Sequence, residues 1–330
     1  MKKISILAAG FLALAATASA ETPVLTVYTY DSFVSEWGPG PAVEKAFEKE
    51  CGCDLQFVGA GDGAALLARL RLEGVHTKAD IALGLDTNLT AAAAESGLFA
   101  PLPAPRPTLD LPVAWNDPLF QPYDWGYFAF VYDRTKIPTP PTSFRELADS
   151  DLKIVIQDPR SSTPGLGLLL WVKKAHGEAA REIWEGLADN IVTVTKGWSE
   201  AYGMFLEGEA DMVLSYTTSP AYHLIAENDD TKAAAQFTEG HYMQIEVAGK
   251  IAGTDQPELA DRFLAFMASD RFQEIIPTTN WMYPARLPVS GLPRGFESLI
   301  RPDTALLYPP EEAAQIRHKA LSEWQAALSR

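Results

Sequence analysis

Short apolar strands alternate with amphipathic helices along this chain in two successive sets, and two longer extended stretches separate the sets. That alternation is the signature of α/β folds built on parallel sheets. In the first set, Val24 to Tyr30 reads as a strand and Pro41 to Glu50 as a helix with Pro41 in its first turn. Strand Leu55 to Val58, helix Ala64 to Leu72, strand Ile81 to Leu85 and helix Asn88 to Glu95 follow. The prolines at 101, 103, 105, 107 and 112 then exclude both a helix and a central strand.

The extended stretch Tyr127 to Tyr132 opens the second set. It contains helix Ser143 to Ala148, strand Ile154 to Gln157, helix Gly165 to Ala175, strand Ile191 to Thr195, helix Glu200 to Leu206, strand Met212 to Ser215 and helix Ala221 to Glu227. A second long strand, His241 to Ile251, leads to helices Glu258 to Ala268 and Pro310 to Leu328. The expectation is a two-lobed α/β molecule, each lobe a mainly parallel sheet flanked by helices, with a cleft between lobes. Residues 21–126 and 247–280 form one discontinuous lobe and 127–246 the other, with hinge strands near 127–132 and 241–251. Residues 281–330 are expected to form a C-terminal helical segment of unassigned lobe.

The N-terminus reads as an export signal. Lys2 and Lys3 precede an apolar run from Ile4 to Ala16, and Ala18-Ser19-Ala20 supplies a small-residue cleavage site, so the mature chain is expected to start at Glu21. The run is short of the ~20 residues a membrane span needs. Residues 1–20 are therefore expected to be removed and the protein to work in the periplasm. The net charge of −16, with no basic cluster to offset it, argues against nucleic acid or anionic lipid as a partner. Cys51 and Cys53 stand one residue apart, and a disulfide, free thiols or a metal pair remain open for them. The five histidines are scattered without the paired spacing of a zinc site.

Ligands of open α/β sheets bind beyond the carboxyl ends of strands, where helix N-termini offer unpaired amides. Several junctions of this kind are rich in Gly, Ser, Thr and aromatic residues. Gln157 to Gly167 is one: Ser162 or Thr163 caps the next helix, and the segment is either an anion cup or an ordinary capped helix start. Gly61-Asp62-Gly63 is a capped turn or a ligand contact. Trp198, ahead of an expected Ser199 N-cap, is a core plug or a stacking surface. Tyr216-Thr217-Thr218-Ser219 and Tyr222 form a further junction, and Asn280-Trp281-Met282-Tyr283-Pro284 and Tyr30 add rings. Such a set suits a ligand with a flat ring, a cationic part and a phosphate or other polar end.

The stretches Val24 to Phe33, Trp37 to Pro41, Gly126 to Asp133, Thr193 to Gly203, Leu214 to His223 and Asn280 to Pro284 closely resemble the periplasmic thiamine-binding proteins of bacterial ABC importers. The resemblance spans the mature chain. It implies a type II periplasmic-binding-protein fold, a cleft that holds thiamine, its monophosphate or its diphosphate, and transient docking on an inner-membrane ABC permease. It implies binding positions at Asp62, Gly63, Ser162, Thr163, Trp198, Tyr216, Thr217, Thr218 and Ser219, with Tyr30, Tyr222 and Trp281 as further aromatic candidates. Ser162 and Thr163 are assigned to the hydroxyethyl or phosphate end, and Trp198, Tyr222 and Trp281 to the rings. Gly61 and Thr279 depart from the family pattern, which has an acidic residue and a glycine there. No catalytic residue, metal or cofactor is expected, and the protein should be a monomer. The competing readings are a thiaminase-like enzyme, which needs a nucleophilic Cys in the cleft, and a ferric-ion binder using Tyr216 and Tyr222.

Overall fold

The computed structural model describes residues 22–329. The expected signal segment 1–20 and its cleavage point lie outside the described residues. Nine strands carry the architecture: β1 Val24–Thr29, β2 Asp54–Gly59, β3 Ile81–Asp86, β4 Phe120–Asp133, β5 Ile154–Gln157, β6 Ile191–Thr195, β7 Met212–Tyr216, β8 Lys232–Ala234 and β9 His241–Lys250. The helices preceding residue 207 are α1 Asp31–Val34, α2 Gly40–Cys51, α3 Gly63–Glu73, α4 Thr90–Glu95, α5 Phe144–Ala148, α6 Thr163–His176, α7 Ala180–Leu187 and α8 Trp198–Leu206.

The strand order is β2-β1-β3-β9-β4-β7-β5-β6. At one end β1 pairs in parallel with both β2 and β3, and at the other β5 pairs in parallel with β6 and β7. Between them β9 and β4 run antiparallel to each other and to their outer neighbours β3 and β7. The fold is thus two parallel-sheet lobes joined through two long crossing strands. Partnership along β4 changes in mid-strand: Phe120 to Tyr127 pair with β9, and Phe128 to Tyr132 pair with β7.

Burial explains why strands read as apolar runs. All of β3 and β5 is buried, as expected of strands covered on both faces. One apolar cluster, with Leu25, Val27, Phe47, Leu83 and Phe263, fills the space between the first sheet, α2 and helix Pro257–Met267. A larger one includes Phe130, Phe144, Trp171, Trp184 and Phe237. Each such side chain contributes ~1.5–3 kcal/mol on burial. Helix α6 is buried from Thr163 through Lys173, apolar almost all round, and passes close to β4. A Cβ on Gly167 would sit 2.0 Å from the Phe128 ring, so only glycine permits this approach.

The structure changes several sequence expectations. Strand β4 starts at Phe120, seven residues before the expected Tyr127. Helix α7 was not anticipated, although Ala180, Ile183, Trp184 and Leu187 are its buried stripe; it has no side-chain cap to announce it. Helix α8 starts at Trp198 with extended Gly197 as N-cap, so Ser199 lies inside the first turn and is not the cap. The expected helix 221–227 is a short turn, Pro220–Tyr222, continued by a π-helical turn, His223–Glu227. Within 281–330 only Pro310–Leu328 is a long helix; it packs on α6 and α7. Prolines at 284, 288, 293, 302 and 309 keep the preceding segment irregular. Cys51 and Cys53 are joined by a disulfide at the end of α2, Cα atoms 5.2 Å apart.

Candidate functional site

A cavity of about 380 Å³ lies between the lobes. Tyr30, Ser32, Trp37 and Asp62 line it from the first lobe, Glu246 from the crossing strand β9, and the 278–282 segment closes one side. Pro164, Tyr216, Ser219, Tyr222 and α8 residues Trp198, Ser199, Tyr202, Gly203 and Leu206 line it from the second. Several of these side chains come from the carboxyl ends of strands: Tyr30 follows β1, Asp62 follows β2, and Tyr216 ends β7. The cavity therefore occupies the position where helix N-termini and strand ends converge.

Aromatic rings form its walls. The Trp198 ring stacks on Tyr202 at 4.9 Å and 24°, and its Nε1 donates to Ser215 Oγ at 2.8 Å. Trp37 approaches Trp198 at 6.1 Å and is 53% exposed, so the mouth is rimmed by indoles. Opposite, Trp281 meets Tyr222 edge-on at 5.3 Å. Trp281 holds φ at +56°, a left-handed conformation that costs a bulky residue ~1–2 kcal/mol. Strain of this sort persists where surroundings impose it, and here it aims an indole at the cavity.

Behind the rings runs a hydrogen-bonded buttress. Tyr202 OH lies 2.9 Å from His223 Nε2, His223 Nδ1 lies 2.6 Å from Glu227 Oε2, and Tyr222 OH donates to Glu227 Oε1 at 2.9 Å. One carboxylate thus holds a phenol on each of two walls. His223, Glu227 and Asp229 are the group of potential metal ligands found among the described residues. Asp229 is already engaged by Lys232 at 3.3 Å and by the Thr231 amide at 2.8 Å.

The floor is acidic. Glu246 Oε2 accepts from Tyr123 OH at 2.6 Å and lies 3.0 Å from Tyr30 OH; its Oε1 accepts from Gln244 Nε2 at 2.8 Å. Asp124 faces Glu246 across the β4–β9 ladder and accepts from Asn280 Nδ2 at 2.6 Å. Burial pushes the Glu246 carboxyl up to about 7. Burial, then the Glu246 charge, raises Asp124 well above the carboxylate range. Asp62 is raised too, by burial, although its hydrogen bonds with Ser162 and Gly63 oppose the shift. Among the described residues no ion pair involves Asp62, Asp124 or Glu246.

Of the residues expected from sequence, Tyr30, Asp62, Trp198, Tyr216, Ser219, Tyr222 and Trp281 line the cavity. Gly63, Ser162, Thr163, Thr217 and Thr218 stand behind its surface, all buried. Ser162 caps α6 and donates its hydroxyl to Asp62 Oδ2 at 2.8 Å, so that helix start faces a carboxylate from the other lobe. A Cβ on Gly63 would lie 2.3 Å from Thr163 Oγ1, which makes glycine necessary where the lobes touch. Thr217 buries an Oγ1 without a partner, the Thr163 hydroxyl lies against the Asp62 carboxylate, and Thr218 Oγ1 lies 3.6 Å from Met282 Sδ. The binding positions expected from sequence leave out Glu246, Trp37 and Tyr202, and Asn280 was named only as part of its junction. A signal existed for Glu246: with Gln244 it interrupts an otherwise apolar, wholly buried run in β9.

Two lobes, crossing strands and an aromatic, acidic cleft define a solute-binding protein. The family model described as bacterial extracellular solute-binding protein matches residues 39–274, and the chain belongs to that family. The "Thiamine-binding periplasmic protein" of Salmonella typhimurium (strain LT2) is 55% identical over 321 residues, 97% of this chain and 98% of the relative. A solved structure described as "Periplasmic thiamin binding protein" superposes with a TM-score of 0.91 at 55% identity, covering 94% of this chain and 98% of that one. The iron-bound HitA from Pseudomonas aeruginosa shares the fold alone, at 21% identity and a TM-score of 0.75, over 92% of this chain and 99% of that one.

Proposed function

We propose that this protein captures thiamine, or its mono- or diphosphate, in the periplasm and delivers it to an inner-membrane ABC permease. The observation that carries the reading is the cavity itself. Stacked and edge-on aromatic rings surround a floor of carboxyls that form no ion pair among the described residues, a combination suited to a flat heteroaromatic cation. Thiamine has two aromatic rings, one a permanent cation. The names of relatives more than half identical over nearly the whole chain support the same ligand. No helix among the described residues is long and apolar enough to cross a membrane, in keeping with a carrier that shuttles to its permease.

In this proposal the twelve positions expected from sequence act in two layers. The seven that line the cavity contact ligand, while Gly63, Ser162, Thr163, Thr217 and Thr218 shape the seam behind it. A phosphorylated ligand must share the α6 N-terminus with the Asp62 carboxylate. The lobes hinge at β4 and β9, and the closed form is what the permease reads. The protein holds its ligand without turning it over: both cysteines are tied in a disulfide at the end of α2, which supports a binding role over a thiaminase-like one. Burial raises the Tyr216 and Tyr222 phenols rather than preparing phenolates for iron, although at Tyr222 the Glu227 hydrogen bond comes first.

Tryptophan fluorescence tests the proposal directly, because Trp198 and Trp281 line the site. Saturable quenching or enhancement by thiamine and its phosphates is expected. A flat titration with all three overturns it. X-ray scattering should show compaction on adding thiamine, and an unchanged radius of gyration would remove the hinge.

A further inference from the structure

The floor of the cavity holds more negative groups than its surroundings can neutralise. Asp124 and Glu246 are directly opposed residues of the antiparallel β4–β9 pair, so their side chains leave the sheet on the same face. Both are buried, and their carboxyl groups lie within hydrogen-bonding reach of each other. Every element packed around Glu246 presents either an acid or a neutral group to it. Tyr30 follows β1, Asp62 caps α3, Asp86 ends β3, and Tyr123 and Asp124 come from β4. Tyr216 from β7 and Asn280 complete the set. Two carboxylates this close, out of water and without a cation, cannot both stay ionised.

We propose that Asp124 and Glu246 share a proton while the cavity is empty and release it to solvent when a cationic ring takes its place, so that this pair selects the charge of the ligand. The idea rests on the proposed capture of thiamine and deepens it. The exchange balances: one positive charge enters the site as ring cation and one leaves as a proton. Tyr30 and Tyr123 keep their hydroxyls on Glu246 in both states, which favours its ionised form once the cation is present. A neutral ring of the same shape gives no such exchange and meets a pair that still holds its proton. The upward displacement of both carboxyls by burial agrees with this arrangement.

Titration calorimetry of thiamine into the mature protein, in two buffers of different ionisation enthalpy at about pH 7, reads the proton count. Release approaching one proton is expected, with affinity rising by up to about tenfold per pH unit across the range where release occurs. The neutral isostere 3-deazathiamine, which keeps the aminopyrimidine but carries carbon in place of the ring nitrogen, should bind more weakly and release no proton. Glu246→Gln and Asp124→Asn each remove one of two like charges, and each should move the pH dependence to lower pH. Tight thiamine binding with no proton release, or equal release with the neutral isostere, overturns the inference and leaves the proposed function standing. Absence of thiamine binding at every pH overturns both.

Discussion

Asp62 and Ser162 belong to different lobes, a hundred residues apart, and are joined by a 2.8 Å hydrogen bond from the serine hydroxyl to the aspartate carboxylate. Beside them the Ala65 amide donates to Ser161 O at 3.1 Å. These bonds close the back of the cleft, and they place an anion at the N-terminus of α6, where its amides favour one. Part of the contact between the lobes is therefore built from the protein's own groups.

Removing that latch should cost affinity more than stability. Asp62→Ala is expected to weaken thiamine binding by about 1–3 kcal/mol, the value of a hydrogen bond to a charged group. Fluorescence titration gives the affinity and thermal melting of the unliganded protein the stability.

Trp198 tests the aromatic wall. Its indole is half-exposed to the cavity while its Nε1 is held by Ser215. Trp198→Ala should weaken binding by ~1–3 kcal/mol, by analogy with other ring-stacking sites. An unchanged affinity would mean that the ring only supports Tyr202.

Glu227 should act on binding without touching ligand, since it anchors Tyr222 directly and Tyr202 through His223. Glu227→Ala is expected to reduce affinity by about 1 kcal/mol. Glu227→Gln, which can still accept from Tyr222, should recover part of the loss.

Asp86 sets a pH dependence of stability. Burial, with the Glu246 charge, drives its carboxyl up to about 7, opposed by the hydrogen bond from Asn88 and by the Arg317 charge, and its Oδ1 has no partner among the described residues. The folded protein therefore binds a proton between about pH 4 and 7 that the unfolded chain does not. This contribution to stability is complete below the ordinary carboxylate range and is lost as pH rises through about 7. Asp86→Asn should accordingly raise the melting temperature at pH 8 more than at pH 5, by the equivalent of roughly 1 kcal/mol or more.

The order of strands and helices was legible because each obeys a local rule. Apolar runs such as Ile154 to Gln157 are strands buried on both faces, and Ser162 with Pro164 marks a helix start. The aromatic junctions at Trp198, Tyr216 and Trp281 were legible for the same reason, since strand ends in this kind of fold lead to the ligand. Helix α7 had a readable stripe but no cap, and the Gly197 cap before Trp198 was hidden by a better-looking serine.

Position along the chain could not reveal which groups meet. Asp124 finds Glu246 only because β4 and β9 pair in a particular register, and Asp62 reaches Ser162 only because two lobes fold together. The chain by itself determined most of the elements and the aromatic loops. Tertiary structure decided the acidic floor, the cross-cleft bond and the buttress behind Tyr202 and Tyr222. Local propensities act over a few residues, whereas Asp62–Ser162, Asp124–Glu246 and Tyr30–Glu246 join groups 100, 122 and 216 positions apart through strand order and lobe closure.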